Sequence, residues 1–291
     1  MRIEEKIVEK KSFYEKYYKP LTFVYLTFFV LSLLYILFYF SVNKEPFKRD
    51  ISLSGGTVIT IYGDYDESKI KEIISKYTNS YKIKTTQDIY THRAVSKIIE
   101  AKLEEEKAKK FIDELGISSY SIEVTSPELG MGFFRQLIIA IGIAFIFMAL
   151  VVFIIFRTFV PSIAIILAAL TDIIGTLAIL NILNIEIGAA GIAAFLMLIG
   201  YSVDTDIMLT TKVIKARELA LADRLKSSLK TGLTMTLTSL IAIFIAFLLT
   251  NSLVLKQIFM ILCIGLCMDM FSTWIGNISI ITWHVKKKYK E

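Results

Sequence analysis

Ile199-Gly200-Tyr201-Ser202-Val203-Asp204-Thr205-Asp206-Ile207-Met208-Leu209 sets two carboxylates inside an apolar run that begins near Ala189. A charge at mid-membrane depth costs about 3 kcal/mol on insertion scales, so such residues face a bundle interior and mark a pathway. A helix that ended early would instead leave both aspartates among the lipid headgroups. Ile207, Met208 and Leu209 continue the apolar run, and the first lysine is Lys212. That continuation favours a helix carrying both aspartates into the membrane.

The whole chain supports a membrane reading. It has 291 residues, 55% of them hydrophobic, and a mean hydropathy of +0.60. That value is too high for a soluble domain and indicates a multispanning protein. The net charge is +6, but the basic residues gather beside apolar runs. Topology and contact with anionic membrane lipids explain this placement, and no nucleic-acid partner is expected. Cys263 and Cys267 lie one helical turn apart in one apolar run and read as packing residues. No nucleophile constellation, phosphate loop or metal-spaced cluster is evident, so neither an enzyme, a cofactor nor a metal site is expected.

Outward from the central stretch, the chain divides by hydropathy. Residues 1–19 are a mixed-charge N-terminus with Arg2, Lys6, Lys10, Lys11, Lys16 and Lys19. Residues 20–41 form a first span, whose apolar core at 21–40 is long enough to cross. It ends Phe38-Tyr39-Phe40-Ser41 without a small-residue cleavage site and reads as an uncleaved anchor. Residues 131–285 hold five further spans, near 133–156, 161–180, 189–209, 231–250 and 258–284. A charged hairpin at 212–230 carries Lys212, Lys215, Arg217, Arg224, Lys226 and Lys230, and residues 286–291 form a basic tail.

Between the first two spans, residues 42–130 are polar. Alternation predicts strands at 57–62, 81–86 and 120–125. Helical spacing predicts one helix at 66–77, on Ile70, Ile73, Ile74 and Tyr77. It predicts a longer one at 93–115, on Val95, Ile98, Ile99, Leu103, Phe111, Ile112 and Leu115, stopped by Gly116. The β-α-β-α-β order suggests a small α+β, ferredoxin-like sandwich. His92 is solitary and reads as a solvated or capping residue. The expected class is a polytopic α-helical membrane protein with six spans and this one extramembrane domain.

Orientation follows from charge. With six spans, the N-terminus, the 212–230 hairpin and Lys286-Lys287-Lys288 share one side. The 181–188 turn has no basic residue and the 251–257 turn only Lys256. The positive-inside rule places both termini in the cytoplasm, in a cytoplasmic membrane, with 42–130 outside.

Further polar groups accompany the central aspartates. At about 1.5 Å per residue, Asp172 lies on the order of 16 Å from the cytoplasmic end of its span, and Asp204 and Asp206 roughly 8–11 Å from theirs. Asp204 and Asp206 are two apart and cannot share one helical face. One is expected to face Asp172, the other a neighbouring span or partner. Thr234, Thr236, Thr238 and Ser239 of the fifth span, with Ser202 and Thr205, suggest a supporting polar seam, although threonines in such helices commonly bond their own backbone. Asp269 is a fourth intramembrane carboxylate and ranks lower. With no Lys or Arg at this depth, burial disfavours the charged form of these carboxyls. They suit a proton relay, or a site for a hard cation.

The motifs carry a family resemblance. Ser52-Leu53-Ser54-Gly55-Gly56-Thr57 looks like a D-F-x-G-G-T after the first span, with Ser52 in place of Asp. Ser126-Pro127-Glu128-Leu129-Gly130 looks like an S-P-x-x-G before the second. Leu170-Thr171-Asp172 looks like an H-D with Thr171 replacing His, and Gly200-Tyr201-Ser202-Val203-Asp204 looks like a G-Y-S-x-N-D. Together these resemble SecF of the SecD–SecF complex, within the resistance–nodulation–division permeases. The departures, with the lysine- and isoleucine-rich composition, are closer to archaeal members. Asp204 stands where bacterial SecF has Asn, so the resemblance leaves open whether Asp204 or Asp206 is the carrier on this span, with Asp172 the other ion-relay candidate. Asp269 lies outside the family pattern.

The resemblance implies an auxiliary subunit of the Sec translocase, paired with SecD and the Sec channel. It would act on a translocating polypeptide and draw on an ion gradient, with protons the first expectation. Two other readings stay open: a transporter of small molecules or lipids, and a passive scaffold for the channel.

Overall fold

In a computed structural model of the chain, residues 13–63, 65–87, 94–216 and 218–289 are described. Arg2, Lys6, Lys10, Lys11, His92 and Arg217 lie outside them. The order is α1 (Phe13–Asn43), α2 (Ile51–Ser54), β1 (Gly56–Tyr62), α3 (Glu67–Ile74), β2 (Tyr81–Gln87), β3 (Ala94–Ala101), α4 (Glu105–Leu115), β4 (Tyr120–Thr125), α5 (Pro127–Phe156), α6 (Phe159–Ile182), α7 (Ala189–Lys215), α8 (Leu221–Leu249), α9 (Leu253–Phe271), a π segment (Ser272–Asn277) and α10 (Ile278–Tyr289).

Six helices among the described residues are long and apolar enough to cross a membrane: α1, α5, α6, α7, α8 and a continuous Leu253–Lys288. They divide into two classes. In α6 and α7, 56% of the central window is buried within the chain, and in the last span 50%, against 6% in α5 and 11% in α1 and α8. The first three therefore form the bundle's heart. The others wrap it and turn side chains such as Phe23, Leu34, Ile146, Phe147 and Leu248 outward. Apolar surface on that scale needs a lipid environment.

One boundary differs from the hydropathy reading. α8 begins at Leu221 rather than near 231, and α7 runs on to Lys215, so the expected hairpin shrinks to residues 216–220. The cause is an amphipathic start. Leu221 and Leu225 bury against Leu209, Val213 and Ile281, and Arg224 Nη1 donates to the Val213 carbonyl at 2.7 Å. That bond satisfies an otherwise orphan carbonyl at the end of α7.

The polar segment between α1 and α5 carries a four-stranded sheet, ordered β2-β3-β1-β4, with every neighbour antiparallel. Ile59 on β1 lies opposite Ile99 on β3 and Ile122 on β4. Ile59, Ile61 and Ile99 bury under Ile70, Ile74, Phe111 and Ile112 of α3 and α4. The single helix expected over 93–115 is thus corrected to strand β3 followed by helix α4. Val95, Ile98 and Ile99 are β-branched, and β3 finds a partner on each side. α4 starts only where Glu105 and Glu106 meet its positive end. It stops at Gly116, with φ +68.

Candidate functional site

Three carboxyls meet in the heart of the bundle: Asp172 of α6, Asp206 of α7 and Asp269 of α9, 1%, 0% and 0% exposed. Each is held by hydroxyls or an amide. Ser202 Oγ donates to Asp172 Oδ2 at 2.5 Å, and Ser272 Oγ donates to Asp172 Oδ1 at 2.5 Å. Asn277 Nδ2 donates to Asp206 Oδ1 at 2.7 Å. Thr273 Oγ1 lies 3.0 Å from Asp206 Oδ1 and 3.2 Å from Asp269 Oδ1. The remaining oxygens, Asp206 Oδ2 and Asp269 Oδ2, are buried without a hydrogen-bond partner. Among the described residues no lysine or arginine pairs with any of the three, and no His, Cys, Asp and Glu set is arranged to hold a metal ion.

The π segment builds one wall of this site. A run of i→i+5 bonds is rare, and inside an α-helix it concentrates at functional positions. Here it interrupts the last span where Ser272, Thr273 and Asn277 turn to the carboxyls. Tyr25 of α1 closes the back, its hydroxyl 2.8 Å from Thr171 Oγ1. Thr171 in turn donates to the Leu167 carbonyl at 2.8 Å, which leaves the Tyr25 hydroxyl as donor to Thr171.

The structure sorts the expected seam. Ser202 and Thr205 are buried, whereas Asp204 is exposed on the outer side of α7, with Gly200, Met197 and Tyr201 along the same stripe. Nothing lies within 4 Å of where a Cβ on Gly200 would stand. On α8, Thr234 and Thr238 are exposed and donate to the carbonyls of Lys230 and Thr234, while Ser239 is half-buried. Thr236, two residues from each threonine and so on another face, is the buried hydroxyl. Asp269, which the family pattern lacks, sits at the centre. Its stripe with Thr273 and Asn277, each four residues on, was the signal available in the sequence.

The motif residues that follow the first span and precede the second meet one another at the root of the α+β domain. Ser126 caps α5, its Oγ accepting from the Leu129 amide at 3.2 Å, and Pro127 takes the first helical position, where no amide hydrogen is needed. Gly55 has φ +82, and a Cβ there would stand 2.6 Å from Pro127 Cα. A Cβ on Gly130 would stand 2.9 Å from the Gly55 nitrogen. Gly56 follows with φ +144 and opens β1. Thr57 Oγ1 donates to the Leu103 carbonyl at 2.6 Å. The same root packs Phe47 and Leu53 against Leu180, Ile187 and Ile192 of the bundle. Glu186, between α6 and α7, pairs with Lys48 at 3.5 Å and with Lys82 of β2.

Comparison with known proteins agrees with the motifs. A family model described as protein export membrane protein SecD/SecF, C-terminal, matches residues 104–287. The protein-export membrane protein SecF of Methanocaldococcus jannaschii is 36% identical over 258 residues, covering 84% of this chain and 89% of the relative. That of Methanolacinia petrolearia is 32% identical over 265 residues, covering 89% and 90%. The crystal structure of SecDF from Thermus, a translocon-associated membrane protein, superposes with a TM-score of 0.73 at 18% identity. It covers 97% of this chain, which spans 40% of that longer one. At that identity the likeness speaks for the fold.

Proposed function

The chain belongs to the SecF family of protein-export membrane proteins, and on that premise we propose that it is an auxiliary subunit of the Sec translocase that couples an ion gradient to protein export. SecD is its partner in this reading. The Sec channel and the translocating polypeptide are what the pair acts on, within a membrane of lipids that the outer helices face. The ferredoxin-like domain lies outside the cell and both termini lie in the cytoplasm, as the distribution of lysine and arginine supports.

One observation carries the coupling. Asp172 and Asp206 are buried at the centre of the spans with hydroxyl and amide partners and no cationic one. A carboxyl so placed is tolerable when protonated and costly when charged. It therefore takes up or gives up a proton as the bundle opens to water on one side or the other. Asp204, exposed on α7, faces SecD and exchanges the ion at the boundary between subunits.

A second reading has an observation of its own. Asp172 accepts from Ser202 of α7 and from Ser272 of the last span, and such a clamp also suits a passive scaffold. Asparagine separates the two readings, because it keeps the shape and hydrogen-bonding capacity of a protonated aspartate but cannot release a proton. As a mere helix clamp it would cost about 1 kcal/mol. Export is to be measured in native membranes with and without an imposed gradient. In the coupling reading Asp172→Asn and Asp206→Asn assemble with SecD yet lose the gradient-stimulated part of export. Full stimulation in both variants defeats the coupling reading and favours the scaffold.

A further inference from the structure

A hydroxyl has one proton to donate, and Thr273 stands between two carboxyl oxygens, Asp206 Oδ1 and Asp269 Oδ1, at 3.0 and 3.2 Å. It donates to one of them. The second contact closes only when the other carboxyl is itself protonated and donates to the threonine oxygen. Were both ionised, a lone pair of that oxygen would face an anion in a buried site with little screening.

Other hydroxyls on these helices make simpler contacts: Ser202 and Ser272 each donate to the single carboxyl of Asp172. Thr171, Thr205, Thr238, Ser279 and Thr282 each return their proton to the carbonyl four residues back, the ordinary habit of such residues in helices. Thr273 instead bonds two side chains. Thr273 lies in the π segment, whose backbone departs from α-helical register. The bridge also crosses elements: Asp206 comes from α7, Asp269 from α9. The other titratable groups facing it are Asp172 from α6 and Tyr25 from α1.

We propose that Asp206 and Asp269 share one proton through the Thr273 hydroxyl, so that Asp269 and Thr273 belong to the ion path. The proposal rests on the coupling reading above and names the proton as the ion. In the transfer, the Oδ1–H bond of Asp269 breaks as its proton joins Thr273 Oγ1. The original hydroxyl proton of Thr273 passes to Asp206 Oδ1. The hydroxyl is restored, Asp269 becomes a carboxylate, Asp206 becomes an acid, and one proton has moved.

The test combines export with infrared spectroscopy on the full chain with SecD. At neutral pH the wild type should show a protonated-carboxyl band that is lost in Asp269→Asn or Asp206→Asn. Thr273→Val should shift that band and abolish gradient-stimulated export, while Thr273→Ser retains both. A merely structural threonine would leave the band in place. If Thr273→Val does not accumulate, the wild-type spectrum decides, and absence of any such band overturns the proposal. If Asp206→Asn loses stimulation while Asp269→Asn and Thr273→Val keep it, this inference falls and the coupling reading stands. If Asp172→Asn and Asp206→Asn both keep full stimulation, the coupling reading itself has failed.

Discussion

The Ala189 amide donates to the Ser52 hydroxyl at 3.0 Å, which ties the first residue of α7 to the motif that follows α1. Ser52 passes its own proton to Asp50 Oδ1 at 2.5 Å, so a carboxylate backs onto the positive end of the helix that carries Asp206. The root of the extramembrane domain thus holds the start of the helix at the centre of the site. Ser52→Ala should cost about 1 kcal/mol, as loss of a helix cap does. Ser52→Thr, which keeps the hydroxyl that accepts from Ala189 and donates to Asp50, should restore the cap. Thermal unfolding of the purified protein in detergent measures both, and equal melting of Ser52→Ala and wild type would show that the amide finds another acceptor.

Gly55 and Gly130 test the same root from the packing side. The neighbours that a Cβ on Gly130 would meet are backbone atoms of Leu53 and Gly55, which cannot rotate aside as a side chain can. Gly130→Ala should destabilise by roughly 1–3 kcal/mol, the range for overpacking. Gly132→Ala, two residues on with nothing within 4 Å, should be close to neutral. Melting of the two variants side by side checks this, and equal tolerance of both would mean that α2 and α5 separate at little cost.

Topology is open to direct chemistry. Ser80 and Asp223 are both exposed, on opposite sides of the membrane in the proposed orientation. In a background lacking Cys263 and Cys267, a cysteine at Ser80 should react with an impermeant reagent in intact cells. A cysteine at Asp223 should react only after lysis. The reverse pattern would invert the protein in the membrane.

Different physics governed what the sequence disclosed. Spans were legible because an apolar run of about 20 residues has few uses other than crossing a membrane. The start of α8 was not, because Leu221, Arg224, Leu225 and Ser228 bury one face of a polar-looking stretch. Strand β3 is ambiguous in sequence because Val95, Ile98, Ile99 and Leu103 fit helical spacing as well as strand composition. Only pairing with β1 and β2, remote in sequence, decides between them. In the site, Asp172 and Asp206 stood out as charges in apolar runs. Asp269 is equally a charge in an apolar run, and the family motif does not point to it. The π segment has no sequence rule, so the convergence of Ser272, Thr273 and Asn277 on three carboxyls had to be seen in the structure.

The outer stripe of α7 carries the last prediction. Met197 and Tyr201 are 47% and 42% exposed, and Gly200 and Asp204 lie between and beyond them on the same side. A carboxyl facing acyl chains there would cost about 3 kcal/mol, whereas a glycine on that stripe lets a second helix approach closely. Both features suit a partner helix, and the proposed partner is SecD. Ser202 and Thr205, on the same helix, already face the interior of this chain. Cysteines placed singly at 197, 200, 201 and 204 should therefore crosslink to SecD in native membranes, and cysteines at 202 and 205 should not. Gly200→Leu should weaken co-purification of the two subunits by bulk alone, with the chain itself still folded by its melting curve. Crosslinks at 202 and 205 without any at 200 and 204 would rotate the interface to another face of α7 and leave Asp204 without its proposed partner.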